Sequence, residues 1–266
     1  MDKEERPSSE KMLEKIQAQE ERVRRRELGQ LKIFLGYAAG TGKTFAMLEA
    51  ARELKKQQVD VVAGYVEPHA RPETAALLEG IEQLPFLMMD YKGVKIREFD
   101  LDAALKRRPK VILVDELAHS NIQGCRHRKR YQDIEELLEH GINVYTTVNI
   151  QHLESLNDNV AGITSIMVRE TIPDSVFDRA DQVKLVDIEP EELIERMKEG
   201  KIYQGMQAQR ALQNFQFPVQ LDTNSLERPF CTSTYRSGGS PHRSGTAGGT
   251  IRSFLHCPRP DIAFPQ

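Results

Sequence analysis

The chain has 266 residues, 39% hydrophobic and 29% charged, with a formal net charge of −3, so it holds one or two domains with a sizeable core and offers no general case for nucleic acid or an anionic membrane as partner. Three widely spaced cysteines, Cys125, Cys231 and Cys257, argue against a disulfide framework or a structural zinc site and for a reducing compartment. No run approaches the roughly 18 apolar residues of a spanning helix, and the first residues lack the apolar core of a secretory signal, so the expectation is a soluble, cytoplasmic chain.

Residues 1–30 are dense in Glu, Lys, Arg and Gln. They read as a charged leader helix from near Ser8 and Ser9 to the basic run Arg22, Arg24, Arg25 and Arg26, where positive charge suits the helix dipole. A solvated leader is the plain reading; a docking surface for another domain is the alternative. From Leu31 the pattern changes. Leu31–Leu35, Val59–Val66, Val111–Val114 and Val144–Val148 are short, nearly continuous apolar runs, as expected of strands buried on both faces of a parallel sheet. Between them, Met47, Ala50, Ala51 and Leu54 mark one helical stripe, and Ile134, Leu137 and Leu138 another, stopped by Gly141.

The alternation predicts an α/β fold: a doubly wound, mainly parallel sheet of the P-loop NTPase kind, with helices on both faces. It continues through a helix near Gln151–Asn157, a last core strand at Val183–Ile188 and a helix opened by Pro190 and ended by Gly200. A further helix is expected over Gly205–Phe215, so the nucleotide-binding domain is placed at 31–215. Residues 216–266 include TSTYRSGGSPHRSGTAGGT, which offers little apolar surface to offset ordering. This tail is expected to be low-complexity and disordered.

The chemistry centres on LKIFLGYAAGTGKTFAML at 31–48. A phosphate loop needs free backbone N–H groups, a cation and a hydroxyl for a metal. Gly40 and Gly42 permit the required backbone, Thr41 lies between them, Lys43 can reach the β- and γ-phosphates, and Thr44 can ligate Mg²⁺. The helix starting at Lys43 adds its N-terminal dipole. The usual pattern wants glycine at position 37; here the residue is Tyr37, and the glycine is one step earlier at Gly36.

VILVDE at 111–116 is an apolar strand ending in two acids. Asp115 is expected beside Thr44, holding Mg²⁺, and Glu116 could orient or deprotonate an attacking water. A strand that simply ends in exposed acids is the plainer reading of this motif taken alone. In NVYTTVNIQ at 143–151, Asn149 could sense the γ-phosphate or its water, or could cap the next helix. Arg126, Arg128, Lys129 and Arg130 could neutralise phosphate charge, meet a partner or be solvated loop residues. His119 and His127 lack partners at metal spacing.

With those residues in place, the chain resembles the N-terminal cytoplasmic domain of the KdpD family, the potassium- and turgor-responsive sensor histidine kinases of bacteria. LKIFLGYAAGTGKTFAMLEAARELK, GYVEPHARPETAALLEG, VILVDELAHSN and RHRKRYQDIEELLEHGINVYTTVNIQHLESLND are similar to successive blocks of that family, as is IPDSVFDRADQVKLVDIEPEELIERMKEGKIY. The resemblance spans roughly residues 6–215. It implies a regulatory ATP-binding domain in a two-component system controlling a potassium uptake pump. In the family this domain precedes a stress-protein-like domain, four transmembrane helices and the transmitter kinase. By motif match it places Mg–ATP on Gly42, Lys43, Thr44 and Asp115, and raises the weight on Arg126 and Arg128.

Tyr37 departs from the small residue usual in the family; because the loop's later amides contact the phosphates, the site is expected to survive, although a bulky residue here could change access or the approach of the base. After ARALQNF the chain leaves the family's pattern, which suggests a truncated or frame-shifted ending. The residues present include no transmitter core, so at most ATP binding and slow hydrolysis are expected, with signalling domains as partners and any membrane contact made through other regions. A free-standing P-loop ATPase or nucleoside-type kinase, and an adaptor with a structural nucleotide, are the competing readings.

Overall fold

The computed structural model describes residues 27–67, 71–91, 93–164 and 167–198, together with a strand at 235–236. The chain enters through Gly29, whose amide donates to the Leu138 carbonyl at 2.7 Å. A Cβ there would lie 2.0 Å from the Ile142 carbonyl oxygen, so the entry requires glycine. Strand β1 (Leu31–Gly36) then runs up the centre of the sheet into helix α1 (Lys43–Lys56). β2 (Val61–Tyr65), α2 (Pro72–Leu78) and the two-residue β3 (Glu82–Gln83) follow. A hairpin of β4 (Leu87–Tyr91) and β5 (Val94–Glu98) forms its own antiparallel sheet.

Helix α3 (Leu101–Arg107) leads to β6 (Val111–Val114), α4 (Arg130–Glu139) and β7 (Asn143–Asn149). A 3-10 turn at Ile150–His152 precedes α5 (Glu154–Thr164), α6 (Asp174–Asp178), β8 (Gln182–Leu185) and α7 (Pro190–Lys198). The main sheet has the order β3-β2-β6-β7-β1-β8-β9, with β9 at Tyr235–Arg236. All neighbours are parallel except the β8–β9 pair. This is the doubly wound parallel sheet expected from the alternating pattern.

The sheet is buried on both faces, and each face has its own apolar cluster. One gathers Ile33, Ile112, Val144, Leu117 and Leu137; the other gathers Phe34, Leu113, Met47, Leu48 and Ala51. Adjacent residues on β1 and on β6 thus point to opposite clusters, which is why these strands read as unbroken apolar runs. Gly141, with φ of 75°, sits past the end of α4 where a left-handed residue is needed.

Several boundaries differ from the sequence expectation. The helix expected at Gln151–Asn157 begins at Glu154, because Ile150–His152 tightens into a 3-10 turn and Leu153 bridges to Ile172. β2 is two residues shorter at its start and one at its end, and β8 ends at Leu185. The leader helix expected from near Ser8 to Arg26, the helix end at Gly200, the helix over Gly205–Phe215 and, Tyr235–Arg236 apart, the tail lie outside the described residues.

Close packing around β2 gives a test. A Cβ on Gly64 would lie 2.7 Å from both Ile112 Cδ1 and Phe99 Cε2. Gly64→Ala should cost about 1–3 kcal/mol in urea unfolding, and Ile112→Ala about 2–5 kcal/mol. The double variant should lose less than the sum, because the new methyl enters space that Ile112 gave up. Strict additivity would contradict this contact.

Candidate nucleotide site

The phosphate loop joins β1 to α1 at the C-terminal edge of the sheet. Gly40 and Gly42 both have φ of 90°, a region open to glycine and strained for other residues. Gly42 is the N-cap of α1, with no side chain over the first helical amides. The glycine one step early has a physical reason. A Cβ on Gly36 would lie 2.4 Å from Thr41 Oγ1 and 2.9 Å from Lys43 Cδ, so the loop folds back across this position. Tyr37 is engaged elsewhere: its hydroxyl donates to the Ile188 carbonyl at 3.0 Å, in the connection between β8 and α7. Burial, with help from Asp187 and Glu189, pushes that phenol up to about 12. Tyr37 therefore anchors the loop's entrance to the segment that follows β8, the strand beside β1.

Lys43 curls over its own loop. Its Nζ donates to the Ala38 carbonyl at 2.7 Å and to Thr41 Oγ1 at 3.3 Å. Burial lowers its pKa to about 8 against the pull of Asp115, and Arg71 adds to the lowering. Thr44 Oγ1 donates to Asp115 Oδ2 at 2.9 Å. Thus the loop hydroxyl and the acidic strand meet although β7 lies between β1 and β6. Thr147, on β7, completes the link by donating its hydroxyl to Asp115 Oδ1.

Glu116 has φ of 60°, an uncommon conformation for a non-glycine residue. Its amide points back to Asp115 Oδ1 and Thr147 Oγ1, each at 3.2 Å. With His119, Thr147, Asn149, His152 and Glu170 it lines a cavity of about 110 Å³. Asn149 ends β7, directly opposite Gly36 in register. It stands at the N-cap of the 3-10 turn, yet its side chain makes no capping bond, and its Oδ1 is buried without a hydrogen-bond partner among the described residues. The capping role is thus not the one its side chain performs.

The basic stretch divides in a way the sequence did not reveal. Arg126 pairs with Asp102 on α3 and Glu136 on α4, which commits its guanidinium away from the loop. Arg128 is exposed. Arg130, grouped with them as a loop cation, is fully buried. Its guanidinium lies 4.2 Å from the Tyr65 ring centroid, donates to Glu98 Oε2 at 3.0 Å and reaches the Asp115 carbonyl at 3.2 Å. His119 Nε2 sits 3.1 Å from both Glu98 oxygens. Burial opposes ionisation of Glu98, but His119 and Arg130 hold its carboxyl below the ordinary value. Sequence reading also missed Arg196 of α7, whose Nη1 donates to the Gly40 carbonyl at 3.2 Å. Its signal was faint: one Arg in a charged helix 156 residues from its partner.

Among the described residues, no group of three or more His, Cys, Asp and Glu has a metal-binding arrangement; His119 pairs with Glu98 and His127 with Glu136. No described helix is long and apolar enough to cross a membrane.

Comparison with known proteins places this geometry. Residues 27–223 match the family model KdpD, described as "Osmosensitive K+ channel His kinase sensor domain". The chain is 57% identical over 211 residues to a sensor protein KdpD of Clostridium acetobutylicum, covering 79% of this chain and 23% of the relative. It is 60% identical over 187 residues to that of Escherichia coli, covering 70% of this chain and 21% of the relative. A putative sensor protein KdpD of Synechocystis is 52% identical, with 70% of this chain and 50% of the relative covered. The chain thus spans about a fifth of the length of the first two relatives. Among solved structures, the flagellar accessory protein FlaH of Methanocaldococcus jannaschii overlaps 60% of this chain and 71% of its own, at 14% identity and a TM-score of 0.34; the fold assignment rests on the strand order instead. By the extent of the family match and the identity to these relatives, the chain belongs to the KdpD family of osmosensitive K+ channel His kinase sensor domains.

Proposed function

We propose that residues 31–215 form a regulatory nucleotide-binding unit that takes up Mg–ATP and conveys its presence to the rest of a KdpD-type sensor. The observation that carries this reading is the 2.9 Å hydrogen bond between Thr44 and Asp115. It joins a loop hydroxyl to a carboxylate on another strand, at the foot of a glycine cradle. Two hard oxygen donors in contact suit Mg²⁺, and the backbone at Gly40 and Gly42 leaves amides for phosphate oxygens. The residues present therefore fit the group.

In this reading Gly40, Thr41 and Gly42 bind phosphate through their amides, and Lys43 turns from the Ala38 carbonyl to the β- and γ-phosphates. Thr44 and Asp115 hold Mg²⁺, which when bound neutralises phosphate charge and orients the terminal phosphoryl group. Glu116 and Asn149 face the small cavity beside them. Asn149, with a buried oxygen lacking a protein partner, positions a water or a terminal phosphate oxygen, and Glu116 accepts a proton from such a water if hydrolysis occurs. Arg126 and Arg128 serve the surface, Arg126 through Asp102 and Glu136. Binding with slow or no turnover suits a module that reports nucleotide to stress-protein-like and transmitter domains, and those domains are the proposed partners.

Lys43→Ala should weaken ATP binding by about tenfold or more, the scale of one lost charge-assisted contact. Isothermal titration checks this, and unchanged affinity refutes the loop assignment. The depressed Lys43 pKa gives an independent signature. Its folded value, about 8, lies below the ordinary 10.5. The buried ammonium therefore lowers stability below pH 8, and the penalty is relieved as the pH rises through that window. A polyphosphate favours the charged form. ATP binding near pH 9 should then take up protons through Lys43, and binding near pH 6.5 should take up none there. Titration in two buffers of different ionisation enthalpy measures the difference between wild type and Lys43→Ala; an identical proton count near pH 9 would contradict the role given to this lysine.

A further inference from the structure

Two hydrogen bonds fasten the phosphate loop to the segment that closes the described domain. Tyr37 holds the Ile188 carbonyl just before α7, and Arg196 within α7 holds the carbonyl of Gly40 at the crown of the loop. The Arg196 guanidinium lies across that crown: a Cβ on Gly42 would fall 3.9 Å from its Nη1. Its Nη2 donates to Glu192 Oε1, one helical turn back, so one nitrogen is steadied within the helix while the other faces the loop. The arrangement places a guanidinium, a group made for binding oxyanions through a planar fork, against a neutral carbonyl.

A second guanidinium stands nearby. Arg71 flanks the start of α2, at the same edge of the sheet. Burial disfavours its charge first and Arg196 next, while Asp115 favours it. Lys43 in turn feels Arg71. Two of these cations, Lys43 and Arg196, hydrogen-bond to carbonyls of the one glycine loop. Like charges brought together this way repel, and an oxyanion between them turns the repulsion into attraction.

We propose that Arg196 clamps the terminal phosphate of a nucleoside triphosphate seated on the loop, and that α7 thereby distinguishes a triphosphate from a diphosphate. This rests on the nucleotide-binding reading given above. Arg196 exchanges the Gly40 carbonyl for a phosphate oxygen, a stronger, charge-assisted acceptor, while the Tyr37–Ile188 bond keeps the start of α7 within reach.

The test compares ATP and ADP, each with Mg²⁺, binding to the full 266-residue chain by isothermal titration. Arg196→Gln should lower ATP affinity by roughly tenfold, the size of one charge-assisted hydrogen bond, and change ADP affinity by less than about twofold. Arg196→Lys keeps the charge without the fork and should fall between. Arg196 is one-third exposed, and a thermal melt of each variant verifies folding. An ATP-to-ADP affinity ratio unchanged in the folded Arg196 variants, while Lys43→Ala still weakens both ligands, overturns the clamp and leaves the loop reading intact. Binding of neither nucleotide to the wild type overturns both.

Discussion

Asp115 is the constraint on which the site's construction depends. Its side chain is almost entirely buried, at 1% exposure, and a carboxylate in that position requires partners. It finds them on three elements: the Thr44 hydroxyl from the phosphate loop, the Thr147 hydroxyl from β7 and the amide of Glu116 that follows it in the chain. β1 and β6 are not neighbours in the sheet, so the Thr44–Asp115 bond crosses over the end of β7, where Thr147 holds the other carboxylate oxygen. The same satisfaction fixes Glu116 in its left-handed backbone and turns the chain from β6 toward the small cavity. One buried acid thus sets the loop's base, the end of the acidic strand and the direction of the next segment.

Behind that acid lies a second buried polar cluster. Arg130, at 0% exposure, braces the Asp115 carbonyl and pairs with Glu98, which also receives the Ile122 amide and faces His119. The Tyr65 ring stacks on the guanidinium at the end of β2. Such a group is costly to bury unless every donor finds a partner, and here the partners come from β2, β5 and the segments flanking α4. The cluster ties the antiparallel hairpin, which shares no ladder with the main sheet, to the back of the site. Arg126 and Glu136 extend the connection outward to α3.

Much of the core was legible in the sequence because both faces of a central parallel strand are buried, and buried strands leave continuous apolar runs. Leu31, Val111 and Val144 announce β1, β6 and β7 for that reason. The hairpin was not visible: most of LMMDY and VKIRE is exposed, so its pattern carries little contrast. Helix α3 has only seven residues and thus no full periodic stripe, although Asp100, which caps it by accepting from the Ala103 amide, was a usable signal. For the site, the loop and the acidic strand were readable because their chemistry is local. Arg130 was not, because its acid is 32 residues away and nothing in RHRKR distinguishes the arginine that turns inward. Tyr37 looked like an intrusion into the loop because its partner at Ile188 lies 151 residues along the chain.

In the function proposed above, Thr44 and Asp115 form the floor of a site for magnesium-bound nucleotide. Its most direct test is titration of ATP into the intact chain with Mg²⁺ and again with the metal chelated. Binding should be tighter with Mg²⁺, by about tenfold or more, equivalent to ~1.4 kcal/mol. Equal affinity in the two titrations would contradict it.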